Sequence, residues 1–340
     1  HHSYCLHPRI TESDDMAAVT EAPAAAPADF SGKRQVADRI FGTASLASAI
    51  IVLLVLGGIA YTTTTKAWPA FDKMGLDFFL SDRWVGSQEL FGARNFIFGS
   101  VVTSVIALVL SVPVSFGIAL FTTQVAPVRL RKPIVYIVDL LAVIPSVVFG
   151  LWAILWLAPK LPGFYENLDS WFGSVPILGW LFGTPGGGRN FLTAGIILAV
   201  MVTPITTSLA REVIDTTPPS DREAAFGLGA TRWEMIRGAV IPHSKGGLVG
   251  AVMLGLGRAM GETIAVALAV GSGNSAGWNL LASGDTMPAR IAFEWGEAEG
   301  TWRAALIALA VTLFVVTIIV NLTATTIVQR SMRRSQGLTK

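Results

Sequence analysis

REVIDTTPPSDREAAFGLGATRWEMIRGAVIPHSKGG, residues 211–247, lies between two apolar runs and is the most informative polar segment of the chain. Ser220 is followed three residues later by Glu223, and Thr231 three residues later by Glu234. Each pair reads as a capping box, in which a hydroxyl and a carboxylate satisfy backbone donors left open at a helix start. Two short helices are therefore predicted, separated by Gly227 and Gly229, with Pro242 ending the second. The first presents Glu223 with the small Ala224 and Ala225, so another protein's groove can approach its backbone closely. The second carries Arg232, Trp233 and Arg237. On capping boxes alone, a solvated connector is the competing reading.

Outward from this segment the chain is apolar. The first long run is TASLASAIIVLLVLGGIAY, ending at Tyr61, and five more follow, approximately Phe96–Thr122, Ile134–Ala158, Leu192–Leu209, Gly247–Gly271 and Ala304–Val328. Each is long enough to cross a hydrocarbon core of about 30 Å as a helix. Six crossings put both termini on one side. With the N-terminus inside, sixteen of the 25 Lys and Arg fall on inner segments and eight on outer ones, Arg258 being within a span. Basic residues concentrate on the cytoplasmic side, so both termini and the 211–246 loop are expected there. Pro113, Pro145 and Pro204 fall within the second, third and fourth spans, where each is expected to kink its helix, for packing or for gating. Trp68, Trp84, Trp171, Trp180, Trp295 and Trp302 in the outer loops suit the headgroup interface.

Composition agrees with a bilayer as solvent. Of 340 residues 52% are hydrophobic and only 14% charged, with a mean hydropathy of +0.58. The net charge of +2 gives no reason to expect nucleic acid. One cysteine, Cys5, excludes an intramolecular disulfide, and with three of the four histidines at positions 1, 2 and 7 no His-rich metal or catalytic cluster is expected. No G-x-x-x-x-G-K-[ST] occurs, so no P-loop is available for a nucleotide. GLGRAMG has the wrong spacing for a dinucleotide fingerprint and lies inside an apolar run. Residues 1–38, rich in Pro, Ala and acidic side chains, read as a disordered tail with Met16 as a candidate start. The expected organisation is this tail, a six-helix membrane domain over 39–330 with its loop at 211–246, and a second tail over 331–340.

The loop also resembles the EAA loop of ABC importer permeases, through Glu223, Ala224, Ala225, Gly229, Ile241 and Pro242. The family's usual ending is Ile-x-Leu-Pro, whereas Ala239, Val240, Ile241 and Pro242 stand here. With GSVVTSVIALVLSVPVSFGIALF (99–121), LLAVIPSVVFGLW (140–152) and MLGLGRAMGETIAV (253–266), the likeness covers roughly residues 40–330 and is to the PstC-type permease of the phosphate-specific importer. The resemblance implies an all-α type I importer (MetI-like) permease in a bacterial inner membrane, not itself an enzyme. It also implies a second permease of PstA type, two ATPase subunits that bind ATP and Mg and are docked by the loop, and an extracytoplasmic phosphate-binding protein. Rival readings are a permease for another oxyanion or small solute and, further off, an ion-coupled secondary transporter.

Arg258 and Glu262 are the charged pair of the fifth span. Four residues apart, they are expected one turn apart on one helical face and able to pair. Arg258 is about a dozen residues from the inner end, or ~18 Å at the helical rise, hence near the midplane. An Arg there costs roughly 2.5–3.5 kcal/mol on the lenient insertion scale, so it should face the bundle interior or a water-filled cavity. The functional reading has Arg258 offering a cationic fork to phosphate in transit, with Glu262 neutralising it when the path is empty. The structural alternative is an ion pair fixing two helices. Asp139 in the third span is expected to orient basic groups rather than touch substrate.

Overall fold

The computed structural model describes residues 31–173, 175, 178–273 and 279–337, the side chains of 31–37 and 327–337 excepted. The elements in order are α1 (Ser31–Met74), α2 (Asp77–Leu80), a hairpin of two short strands β1 (Trp84–Val85) and β2 (Leu90–Phe91), α3 (Arg94–Leu120), α4 (Val128–Val143) and α5 (Ser146–Trp152). These are followed by α6 (Pro162–Phe172), α7 (Leu178–Leu181), α8 (Phe191–Asp215), α9 (Pro219–Gly227), α10 (Arg232–Met235), α11 (Ile241–Gly261), α12 (Ile264–Val270), α13 (Met287–Glu294) and α14 (Gly300–Gly337). The chain forms two units, residues 1–58 and 59–340. The described part of the first is wholly α1; the second carries every other element.

Of the expected tails, residues 1–30 lie outside the described residues, and α1 already begins at Ser31 rather than after residue 38. At the other end α14 continues to Gly337, past the expected boundary at 330. Basic residues such as Arg333 and Arg334 are good helix formers and complement the negative end of a helix dipole, so the sequence offers no stop there.

Among the described residues five helices are long and apolar enough to cross a membrane: Asp38–Met74, Arg94–Val125, Phe191–Asp215, Arg232–Gly261 and Gly300–Thr326. The remaining expected span, the third (Ile134–Ala158), is not one helix but a pair, Val128–Val143 and Ser146–Lys160, bent by 91°. Pro145 is the cause. A proline forces the residue before it out of the α region, and Ile144 accordingly sits at φ −65°, ψ 125°. Pro113 and Pro204, by contrast, lie within continuous helices.

The fifth span is also broken. The helix stops at Gly261, Glu262 is extended (φ −70°, ψ 128°), and α12 starts at Ile264. Gly and a β-branched Thr are weak helix formers, and packing decides the outcome: α12 lies so close on α5 that a Cβ on Gly150 would stand 3.0 Å from Ala265 Cα. At the other end of this span Pro242 does not end the second loop helix. The chain passes from α10 through a π-helical turn, Ile236–Val240, directly into α11. The wider turn re-registers the ladder just where proline lacks its donor and its ring would crowd the preceding turn.

α8 is the central helix, packed on α3, α4, α11 and α12. Phe191, Ile197, Leu198, Val202 and Ile214 along it are buried, and Asn190 caps its start by accepting from Thr193 N at 2.8 Å.

Candidate functional site

The 211–246 loop is built much as its punctuation requires, with one exception. Ser220 does not cap α9, because the helix begins at Pro219, where a missing N–H costs nothing and φ is already suitable. Thr231 does cap α10: Glu234 N donates to its hydroxyl at 3.4 Å and its own N–H donates to Glu234 Oε2 at 2.8 Å. Between the helices Gly229 takes φ +83°, a left-handed position suited to glycine, and Ala230 N donates back to Ala225 O at 3.1 Å.

This geometry sorts the loop residues into two faces. Ala225 and Ile241 pack on a core of Ala119, Ala210, Ile214, Met235, Ile236 and Val240. Glu223, Ala224, Gly229 and Pro242 are exposed, beside Phe226, Leu228 (90% exposed) and Trp233 (63%). Three large apolar side chains therefore stand out on a short, capped platform. The platform is tied down by Arg222, whose Nη2 donates to Ile214 O at the end of α8 (3.2 Å), a contact the sequence reading missed.

The charged residues of the spans are arranged differently from expectation. Because Glu262 has left the helix, the pair is not on one helical face, and no ion pair joins Arg258 to Glu262 among the described residues. Arg258 is exposed in this chain and lines an open groove with Ile205, Gly250, Met253, Leu254, Gly257 and Asn321. Asn321 was not anticipated; a lone carboxamide in the run TIIVNL was the available signal. Asp139 Oδ1 lies 3.9 Å from Arg211 Nη2, and Asp215 Oδ2 is 3.0 Å from Arg131 Nη2 near the loop end of the bundle.

At the opposite end lies a dense polar network. Arg290 contacts Asp285 at 2.9 Å and Glu294 at 2.6 Å, and its guanidinium covers the Phe96 ring at 4.9 Å. Glu294 Oε2 also accepts the indole N–H groups of Trp84 (2.7 Å) and Trp302 (2.8 Å), so these two tryptophans are donors in the network. Asp285 is only 5% exposed. Burial pushes its carboxyl up to about 6, against the opposing pull of Arg290. A Cβ on Gly99 would collide with the Asp285 carbonyl, which is how α3 comes this close. Among the described residues no group of three or more His, Cys, Asp or Glu could hold a metal ion.

Residues 112–334 match the family of binding-protein-dependent transport system inner membrane components. The phosphate transport system permease protein PstC of Mesorhizobium japonicum is 41% identical over 310 residues, 90% of this chain and 95% of its own length. PstC 2 of Mycobacterium tuberculosis is 41% identical over 84% of this chain and 90% of its own length. Among solved structures, a chain of a bacterial ABC transporter involved in the import of the acidic polysaccharide alginate superposes with a TM-score of 0.56, covering 87% of this chain and 98% of that one. At 18% identity this last likeness speaks for the fold alone. The fold is thus that of an ABC importer permease, and the chain belongs to the binding-protein-dependent inner-membrane transport components and, among them, to the phosphate transport system permease (PstC) family.

Proposed function

We propose that this chain is the permease subunit through which an ATP-driven importer carries inorganic phosphate across the bacterial inner membrane. The observation that carries this reading is 41% identity over nine-tenths of the chain to a phosphate transport system permease. Its partners are a second permease of PstA type, an extracytoplasmic phosphate-binding protein and two ATPase subunits. ATP and Mg are held by those ATPases, since this chain has no P-loop and performs no catalysis itself. Both termini and the 211–246 loop face the cytoplasm, in keeping with the two-to-one bias of basic residues.

Each part of the site has a role in that scheme. Phe226, Leu228 and Trp233 supply the apolar face that enters a cleft of the ATPase, beside Glu223 and Ala224. Closure of the ATPases displaces this platform. Because Arg232–Gly261 is one continuous helix, the displacement is delivered to Arg258 without an intervening loop, while Arg222 carries it to α8. Arg258, exposed in the single chain, faces the path between the two permeases and supplies the positive charge that a phosphate ion needs in a low-dielectric setting. Glu262 stands at the helix break rather than in a locked pair with Arg258, so it tempers the site's charge without occupying the guanidinium. Asp139 orients Arg211 at the cytoplasmic half of α8.

Reconstitution of the chain with a PstA-type permease and the ATPase in liposomes tests the reading. Phosphate-loaded binding protein should stimulate both ATP hydrolysis and uptake of labelled phosphate. Stimulation only by another solute's binding protein would retain the permease and discard the substrate.

A further inference from the structure

Asn321 sits in α14 within the apolar stretch FVVTIIVNLTATT. A carboxamide in a membrane helix ordinarily holds helices together, with both ends of the amide bonded to neighbours. Here the side chain does not do this. Its Oδ1 is enclosed and has no hydrogen-bond partner, one of few such atoms among the described residues. The residue is nonetheless part of the wall of the Arg258 groove, and these two are the only polar side chains among the seven residues that line it. Opposite, Gly250 and Gly257 leave the surface of α11 open, a Cβ on either meeting nothing within 4 Å.

We propose that Asn321 is a second substrate-contact residue, donating its carboxamide N–H to a tetrahedral oxyanion in the same groove as Arg258. This rests on the transport reading above and adds a residue to its path. The division of labour follows from chemistry. A guanidinium selects for negative charge, but a path made only of cations would hold an anion too firmly to release it. A neutral amide supplies directed hydrogen bonds without adding to that electrostatic well, the condition for passing the ion onward.

The test uses the reconstituted complex with phosphate-loaded binding protein, comparing wild type, N321D and N321L for ATP hydrolysis, labelled phosphate uptake and co-purification of all subunits. N321D keeps the shape of the side chain but places negative charge against the anion, so uptake should fall about a hundredfold at pH 7.5. N321L, which removes the carboxamide without adding charge, should lose about tenfold. Lowering the pH toward 5 should restore part of the N321D uptake relative to wild type, because a protonated carboxyl is again a neutral donor. A purely structural amide predicts the reverse order, with N321L the worse variant and no recovery at low pH; that pattern, or wild-type uptake by N321D, overturns the proposal. Should N321D fail to assemble, N321L and N321Q decide: unchanged uptake by assembled N321L refutes the contact, while a tenfold loss with normal co-purification and melting, partly restored in N321Q, upholds it. No phosphate uptake by the wild-type complex would overturn the transport reading itself, and this inference with it.

Discussion

Arg290 and Arg258 are two arginines of one chain in opposite circumstances. Arg290 is enclosed at one end of the bundle, bonded to Asp285 and Glu294 and roofing Phe96, within a network that also takes up the indoles of Trp84 and Trp302. Arg258 lies in an open groove with no carboxylate bound to it among the described residues. The loop platform resembles the second case, with Leu228 and Trp233 offered to the surroundings. Polar groups bonded within the chain help to hold its shape, and groups left open are available to the partner and the ion proposed above.

The contrast can be broken by exchanging the treatment of the two arginines. Arg258→Ala should abolish phosphate uptake in liposomes while the complex still assembles and its melting temperature in detergent is unchanged. Arg290→Ala should do the opposite first, lowering stability by about 3 kcal/mol because it leaves the buried Asp285 and the part-buried Glu294 without their cation. A stable, assembled Arg290→Ala complex would show that the network is no more structural than the groove.

Asp285 makes the stability of this end of the bundle depend on pH. Its raised value means that the folded chain binds a proton more tightly than the unfolded chain does, so its contribution is complete below the unfolded pKa near 3.8 and is lost as pH rises through about 6. The native state should therefore lose up to about 3 kcal/mol from this group between pH 4 and 7. Thermal melts of the wild type and Asp285→Asn across that range should differ in slope, the variant lacking this component. An identical slope would remove Asp285 from the account.

At the loop, Leu228→Glu should cut ATPase co-purification about tenfold by placing a charge in an apolar cleft, with no effect on melting of the permease alone. The smallest effect belongs to Thr231→Ala, which removes the α10 cap and should cost about 1 kcal/mol, seen as faster local amide exchange over Arg232–Met235. Full protection there would mean that packing of Met235 and Ile236, not the cap, holds the turn.

Much of this protein is legible from local rules. Apolar length located the spans, because a helix must be about that long to satisfy its backbone inside hydrocarbon. The Thr231–Glu234 cap and the turn at Gly229 follow from side-chain and backbone chemistry within a few residues. Local rules failed where two plausible outcomes were close in energy. Ser220 and Pro219 both offer a helix start, and proline's fixed φ prevailed. Pro113, Pro145 and Pro204 look alike in sequence, yet only Pro145 breaks its span, since whether neighbours absorb the lost hydrogen bond depends on packing.

The same holds for the charged residues. An i, i+4 spacing promises a pair only if the helix persists, and the close packing of α12 on α5 ends it at Gly261, separating Glu262 from the Arg258 helix. The convergence of Asp285, Arg290, Glu294, Trp84 and Trp302 spans more than two hundred residues of chain, so no local pattern announces it. The amino-acid pattern alone carried the features set by the bilayer and by nearest neighbours: the apolar runs and the capped turn. Which helices break, which arginine is bonded to carboxylates and which is left open followed from the three-dimensional packing, because those outcomes depend on close contacts between segments far apart in the chain.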